Sequence, residues 1–115
     1  ATSDLHLLKF GRHMRLSPDV KIIIGRTQQD NERLAQYCNP KKDAIVKVKK
    51  HPGPTVIMPA AASGQMRLLA AAICAGYSKA PAGPDVAVQV TLPERMEQVS
   101  VQPIAPKEAQ RFLIK

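Results

Sequence analysis

Apolar and polar positions change their period several times along this chain, and the changes mark its elements. In "HLLKFGRHMRLSPDVKIIIGR" two short apolar runs flank Ser17-Pro18-Asp19, a turn signal with Pro preset for the second turn position. Val20 to Ile24 is compact and rich in β-branched residues, so it predicts a strand, and the two runs together predict a hairpin. The spacing turns helical in "GRTQQDNERLAQYCNP", where Leu34, Tyr37 and Cys38 share one face. Thr27 is a suitable N-cap with Asp30 three residues on, and Asn39-Pro40 stops the helix. Ala44 to Lys50 alternates, with Val46 and Val48 on one face and Lys47 and Lys49 on the other. Pro52-Gly53-Pro54 forms a corner, and Thr55 to Met58 predicts the next strand.

Ser63 is placed to cap a second helix over "GQMRLLAAAICAGYS". Met66, Leu69, Ala70, Ile73 and Tyr77 fall on one face of it, and its alanines permit close approach to a sheet. Ser78 to Pro84 is a loop rich in Pro and Gly. Val86 to Leu92 and Val99 to Ile104 alternate, which predicts a strand pair around "PERMEQ", and the tail "KEAQRFLIK" reads as a last strand. The order β-β-α-β-β-α-β-β-β lacks strict βαβ alternation. It predicts an α+β domain with a small mixed, mainly antiparallel sheet and two helices.

Composition narrows this picture. A length of 115 residues suits a single domain spanning 1–115. A chain of this size buries roughly two-thirds of its unfolded surface and needs neither metal nor disulfide to fold. With two Tyr, two Phe and no Trp, the core must be aliphatic. Cys38 and Cys74 lie far apart and in no C-x-x-C arrangement, which favours buried thiols and a reducing, cytoplasmic setting. The longest apolar run, "LLAAAICAGY", is shorter than the ~20 residues that cross a bilayer, so no membrane span is expected. The chain starts at Ala1 rather than Met, so we expect a processed chain or the C-terminal part of a longer protein.

Charge changes the picture most. The net charge is +8, and residues up to Met58 carry 11 basic and 5 acidic side chains, against 6 and 4 beyond it. That imbalance suits either a solvated surface or a polyanion partner. The candidate contacts are Lys47, Lys49, Lys50, His51 and Gly53 around the corner, Arg12, His13 and Arg15 in the first strand, and Arg26 at the start of the first helix. Lys47 and Lys49 stand about 7 Å apart by strand rise, close to the spacing of neighbouring phosphates on an extended strand. Lysines in that pattern also guard edge strands against pairing. Few aromatic residues are available for stacking bases, so recognition of backbone and shape is expected. No Ser-His-Asp pattern, paired carboxylates or Gly-rich phosphate loop appears. We expect no cofactor and no metal site, since His6, His13, His51 and the cysteines are scattered.

The order of these elements resembles a known family. "MRLSPDVKIIIGRTQQDNERLAQY", with Gly25-Arg26 and Asn31-Glu32, is similar to the opening of the RNA-binding domain of NFACT proteins. Asp43 before a strand, "HPGPTVIM" after it, and "AAAICAGYSKA" with Tyr77-Ser78 continue the likeness over roughly residues 12 to 90. The turn reads Pro-Gly-Pro-Thr where the family has Pro-Gly-Ser-His, and Lys47 stands where the family usually has His. The resemblance implies a non-catalytic RNA-binding module. Its divergent form, at the end of bacterial thiouridylase-like proteins of the PP-loop class, implies tRNA as partner and a PP-loop catalytic domain in the same polypeptide. This chain has no "SGG" signature of that catalytic domain. Two other readings are open: a module docking to an acidic protein partner or the ribosome, and a sulfur-transfer enzyme using Cys38 or Cys74.

Overall fold

The computed structural model describes residues 11–25, 27–39, 41–81 and 83–113. His6, Phe10, Arg26, Pro40 and residues 114–115 lie outside the described residues, as does the side chain of Tyr37. Strands β1 (Arg12–Ser17) and β2 (Val20–Ile24) form the expected hairpin, with a register shift between Arg15 and Ser17. Helix α1 (Gln28–Tyr37) begins where Thr27 Oγ1 accepts the Asp30 N–H at 3.0 Å. Strands β3 (Asp43–Val48) and β4 (Val56–Pro59) follow. Helix α2 (Gly64–Gly76) begins where Ser63 Oγ accepts the Met66 N–H at 3.3 Å. Strands β5 (Val86–Thr91) and β6 (Met96–Val101), a short helix α3 (Pro106–Ala109) and a 3₁₀ turn (Gln110–Phe112) complete the described residues.

The six strands form one open sheet in the order β1-β2-β4-β3-β5-β6, and every neighbouring pair is antiparallel. The expected α+β class and element order hold through β6. Strand β3 lies inside the sheet, bonded to β4 on one side and β5 on the other. Its lysines therefore do not guard an edge.

The core lies between one face of the sheet and α2. Met14, Ile22, Ile24, Val46, Val56, Met58, Val88 and Val90 come from the strands, and Ile73 with a run of small residues comes from α2. Residues Ala70 to Ala75 are buried without a break, which a helix lying on one surface alone does not produce. The second surface is the C-terminal segment. The Ile104 N–H donates to the Ala72 carbonyl at 3.0 Å, and Ala109 is fully buried. Tail and sheet thus hold α2 from two sides. Among the described residues, the opposite face of the sheet carries a small cluster, in which Leu34 of α1 covers Ile23 and Ile57 with Cys38 beside them.

Two segments differ from the sequence reading. Strand β6 starts at Met96 rather than Val99 and stops at Val101 rather than Ile104. Glu97 stands opposite Val90 on the core side, and its carboxylate meets Arg67 Nε of α2 at 2.9 Å. A carboxylate at an inward position disguised the start of the strand. The tail is a helical turn instead of a strand, because Pro106 suits the first helical position and Lys-Glu-Ala follows it. Among the described residues of the tail, Leu113 alone returns to the sheet, as a single bridge to Met14.

Gly76 lies where the tail crosses α2, and a Cβ there would run into the carbonyl oxygen of Ile104. Alanine is the better helix former by about 1 kcal/mol, so propensity and packing oppose each other at this position. We predict that Gly76→Ala lowers stability by about 1–3 kcal/mol, as overpacking does. Urea unfolding measures the change, and a stabilised variant would show that the tail does not clamp the helix.

Candidate nucleic-acid interface

Residues directly opposite each other in a sheet share a face, so the register maps the surface that α2 does not cover. His13 stands opposite Ile23, Ile23 opposite Ile57, and Ile57 opposite Ile45. Ile45 stands opposite Thr91, Lys47 opposite Gln89, and Gln89 opposite Gln98. Helix α1 rests on Ile23 and Ile57 and divides this face into two flanks. One flank, on β1 and β2, carries His13, Arg15 and Lys21. The other, on β3, β5 and β6, carries Lys47, Lys49, Gln89 and Gln98.

On the second flank Lys47 and Lys49 are exposed. The Lys49 N–H continues the ladder to the Ala87 carbonyl at 3.1 Å. Its ammonium donates to Gln98 Oε1 at 2.9 Å, a neutral partner that orients the charge without cancelling it. Among the described residues neither lysine is paired with a carboxylate. The surface is a flat row of cations and amides. The two aromatic side chains described, Tyr77 and Phe112, pack against the α2 core instead. Such a surface can follow a phosphate backbone but offers no platform for stacked bases.

The lysine row runs on through exposed Lys50 and half-buried His51 into the Pro52-Gly53-Pro54 corner. The corner is pinned from several directions. The Lys79 N–H donates to the Pro52 carbonyl at 2.8 Å, and Cys74 Sγ lies 3.5 Å from the Pro54 carbonyl. The Gly25 N–H donates to the Thr55 carbonyl at 3.0 Å, and the Thr55 N–H donates to Asn31 Oδ1 at 2.9 Å. Gly25 is required here, because a Cβ would occupy the place of the Asn31 carboxamide. Gly53 is exposed, but its lack of a side chain is accounted for by Ser78, whose Cβ would lie 2.6 Å from a Cβ at position 53.

The remaining predicted residues divide. Arg12 stands opposite Ile24, so it points to the α2 side, where its guanidinium lies 5.0 Å from the centre of the Tyr77 ring. There it lines a cavity with Gly53 and with Lys79, which sequence reasoning missed. His13 is half-buried and lines a separate cleft with Lys21 and Asp43. Arg15 is exposed and donates from Nη1 to the Pro18 carbonyl at 3.2 Å, bracing the hairpin turn. The candidate cations therefore lie in three places: Lys47 and Lys49 on one flank beside α1, Arg15 and His13 on the other, and Arg12 on the α2 side. Arg26 lies outside the described residues.

The cysteines are not poised as nucleophiles. Burial pushes the Cys74 thiol up to about 12 from its ordinary 9.0. Burial, and then the nearby Asp43 carboxylate, raise that of Cys38 as well. The thiolate is the reactive form, and the two thiols pack on opposite faces of the sheet. Among the described residues no group of three His, Cys, Asp or Glu side chains converges as a metal site would require. No described helix is long and apolar enough to cross a membrane.

Residues 11–113 match the family described as the NFACT protein RNA binding domain. The chain belongs to that family. Membership makes this an RNA-binding domain, which is consistent with the non-catalytic role expected of it. Among solved structures, the C-terminal part of the fibronectin/fibrinogen-binding protein from Streptococcus suis has the same fold, with a TM-score of 0.77 and 18% identity. The match covers 90% of this chain and 49% of that one, so the chain spans about half the length of its structural relative. No functionally curated protein matches the sequence. Within the NFACT framework, the contacts with Thr55 and with each other give Gly25 and Asn31 a structural role.

Thr55 is almost fully buried, so removing the acceptor strands its N–H away from water. We predict that Asn31→Ala costs about 1–3 kcal/mol. Asn31→Asp, which keeps an acceptor, loses less. Thermal and urea unfolding of the two variants checks the ranking; equal stability of wild type and alanine variant would mean that the corner is held elsewhere.

Proposed function

We propose that this domain holds a structured RNA of the tRNA type by its backbone, as the accessory module of a tRNA-modifying, thiouridylase-like enzyme of the PP-loop class. It positions the RNA and does no chemistry itself. The observation that carries this reading is the exposed Lys47–Lys49 row on the uncovered flank of the sheet, held beside Gln89 and Gln98 and free of carboxylate partners among the described residues. Cations at this spacing suit successive phosphates, while the amides beside them suit ribose hydroxyls and phosphate oxygens. Lys50 and His51 extend the contact toward the corner. Two cysteines in no disulfide fit a reducing, cytoplasmic setting.

The test is the paired substitution Lys47→Glu with Lys49→Glu, at two exposed positions. We predict a loss of affinity for a tRNA transcript of more than about tenfold, with an unchanged melting temperature. With about five phosphate contacts the wild-type log–log salt slope is about −3.5 to −4.5, and the double variant flattens it by about 1.5. Polyaspartate added as competitor separates RNA recognition from docking to an acidic protein. Equal competition by polyaspartate and RNA, or unchanged tRNA affinity in the folded variant, contradicts the proposal.

A further inference from the structure

The cavity behind the Pro-Gly-Pro corner is unlike the lysine row. It measures about 230 Å³ and is built from five separate segments: Arg12 of β1, Gly25 after β2, Asn31 of α1, the corner itself, and Tyr77 with Lys79 beyond α2. Its lining includes two cationic side chains and no carboxylate, whereas the other three clefts described contain Asp43, Glu94 or Asp19. Among the described residues neither Arg12 nor Lys79 is ion-paired. The Arg12 side chain and the Lys79 backbone are nevertheless held in place. The guanidinium of Arg12 lies over the Tyr77 ring, a contact that leaves the N–H groups on its rim available. The backbone of Lys79 is tied to Pro52. Asn31 commits its oxygen to the Thr55 N–H, so the donor it retains is its amide NH₂.

We propose that this cavity is a socket for a terminal phosphate of the RNA chain. The inference rests on the RNA reading above and adds the chemical group that the corner takes. A cavity of about 230 Å³ is smaller than the roughly 300–1,000 Å³ that encloses a whole small-molecule ligand, so it suits a phosphate with part of its ribose. A phosphomonoester carries about −1.5 to −2 charge at neutral pH; an internal phosphodiester carries a single charge. Two cations in a concave site match the monoester. The flat, evenly spaced Lys47 and Lys49 match internal phosphodiesters. Arg12 gives the geometry, because its planar fork meets two phosphate oxygens at once, and Lys79 adds a second charge.

The test uses the 115-residue chain and one short oligoribonucleotide prepared with a 5′-phosphate, a 3′-phosphate or hydroxyls at both ends. Wild type should prefer one phosphorylated end by about tenfold over the hydroxyl-ended strand, and the preferred end identifies the source of the phosphate. The variant Arg12→Gln with Lys79→Gln should lose that preference and keep most of its affinity for the hydroxyl-ended strand. Lys79→Gln alone, at an exposed site, should weaken the preference even if the double variant is unstable. A second readout needs no RNA. The chain has two tyrosines and no tryptophan, so in a Tyr37→Phe variant Tyr77 is the sole strong fluorophore. Ribose 5-phosphate should change its emission saturably, and ribose should not. If hydroxyl-ended RNA binds but neither end preference nor a ribose 5-phosphate response is seen, the socket is wrong and the RNA reading stands. If ribose 5-phosphate binds while no RNA does, the socket stands and the RNA reading falls. Absence of both overturns both.

Discussion

The close seating of α2 on the sheet is the contact on which the rest depends. Ala70, Ala71, Ala72 and Ala75 put little bulk between helix and strands, so Ile73 and Cys74 reach the valines of β3, β4 and β5. Burial at roughly 25 cal/mol per Å² of apolar surface makes this the main source of stability in a chain with few aromatic residues. Because that layer and the tail behind it form the core, the opposite face needs little cover. Helix α1 supplies it over Ile23 and Ile57 alone. The strand surface beyond α1 stays wet, and alternation then places lysines on it.

The same arrangement explains why the cations do not form one surface. A strand sends successive side chains to opposite faces, so Lys47 and Lys49 face away from α2 while Arg12, on another strand and at an inward position, reaches its C-terminal end. The Pro-Gly-Pro corner lies between the lysine row and the cavity that Arg12 lines. It is fastened to α1 through Asn31, to α2 through Cys74 and to the following loop through Lys79.

Much of this was legible in the sequence, for local reasons. Thr27 and Ser63 cap their helices through contacts three residues away, and the alternation of Val46, Lys47, Val48 and Lys49 is a property of one strand. What escaped was non-local. The interior position of β3 depends on pairing with β5, some forty residues downstream. Tyr77 packs against the core as the apolar stripe of α2 predicts, but its contact with Arg12 joins two elements far apart in the chain. Glu97 broke the pattern of β6 because its partner, Arg67, lies on another element. The tail was misread although Pro106 marked the first position of a helix. Its residues are ordinary in either state, and what decides is the surface of α2 that they cover.

The central claim is that RNA meets the face of the sheet left open by α1, on the flank of β3, β5 and β6. Mapping the backbone amide resonances of the isotope-labelled chain during titration with a tRNA transcript tests it directly. The account predicts that shifts concentrate at Lys47, Lys49, Gln89 and Gln98 and run on into the corner. Shifts confined to the outer surface of α2 and the C-terminal tail, with β3 and β5 unmoved, would contradict it.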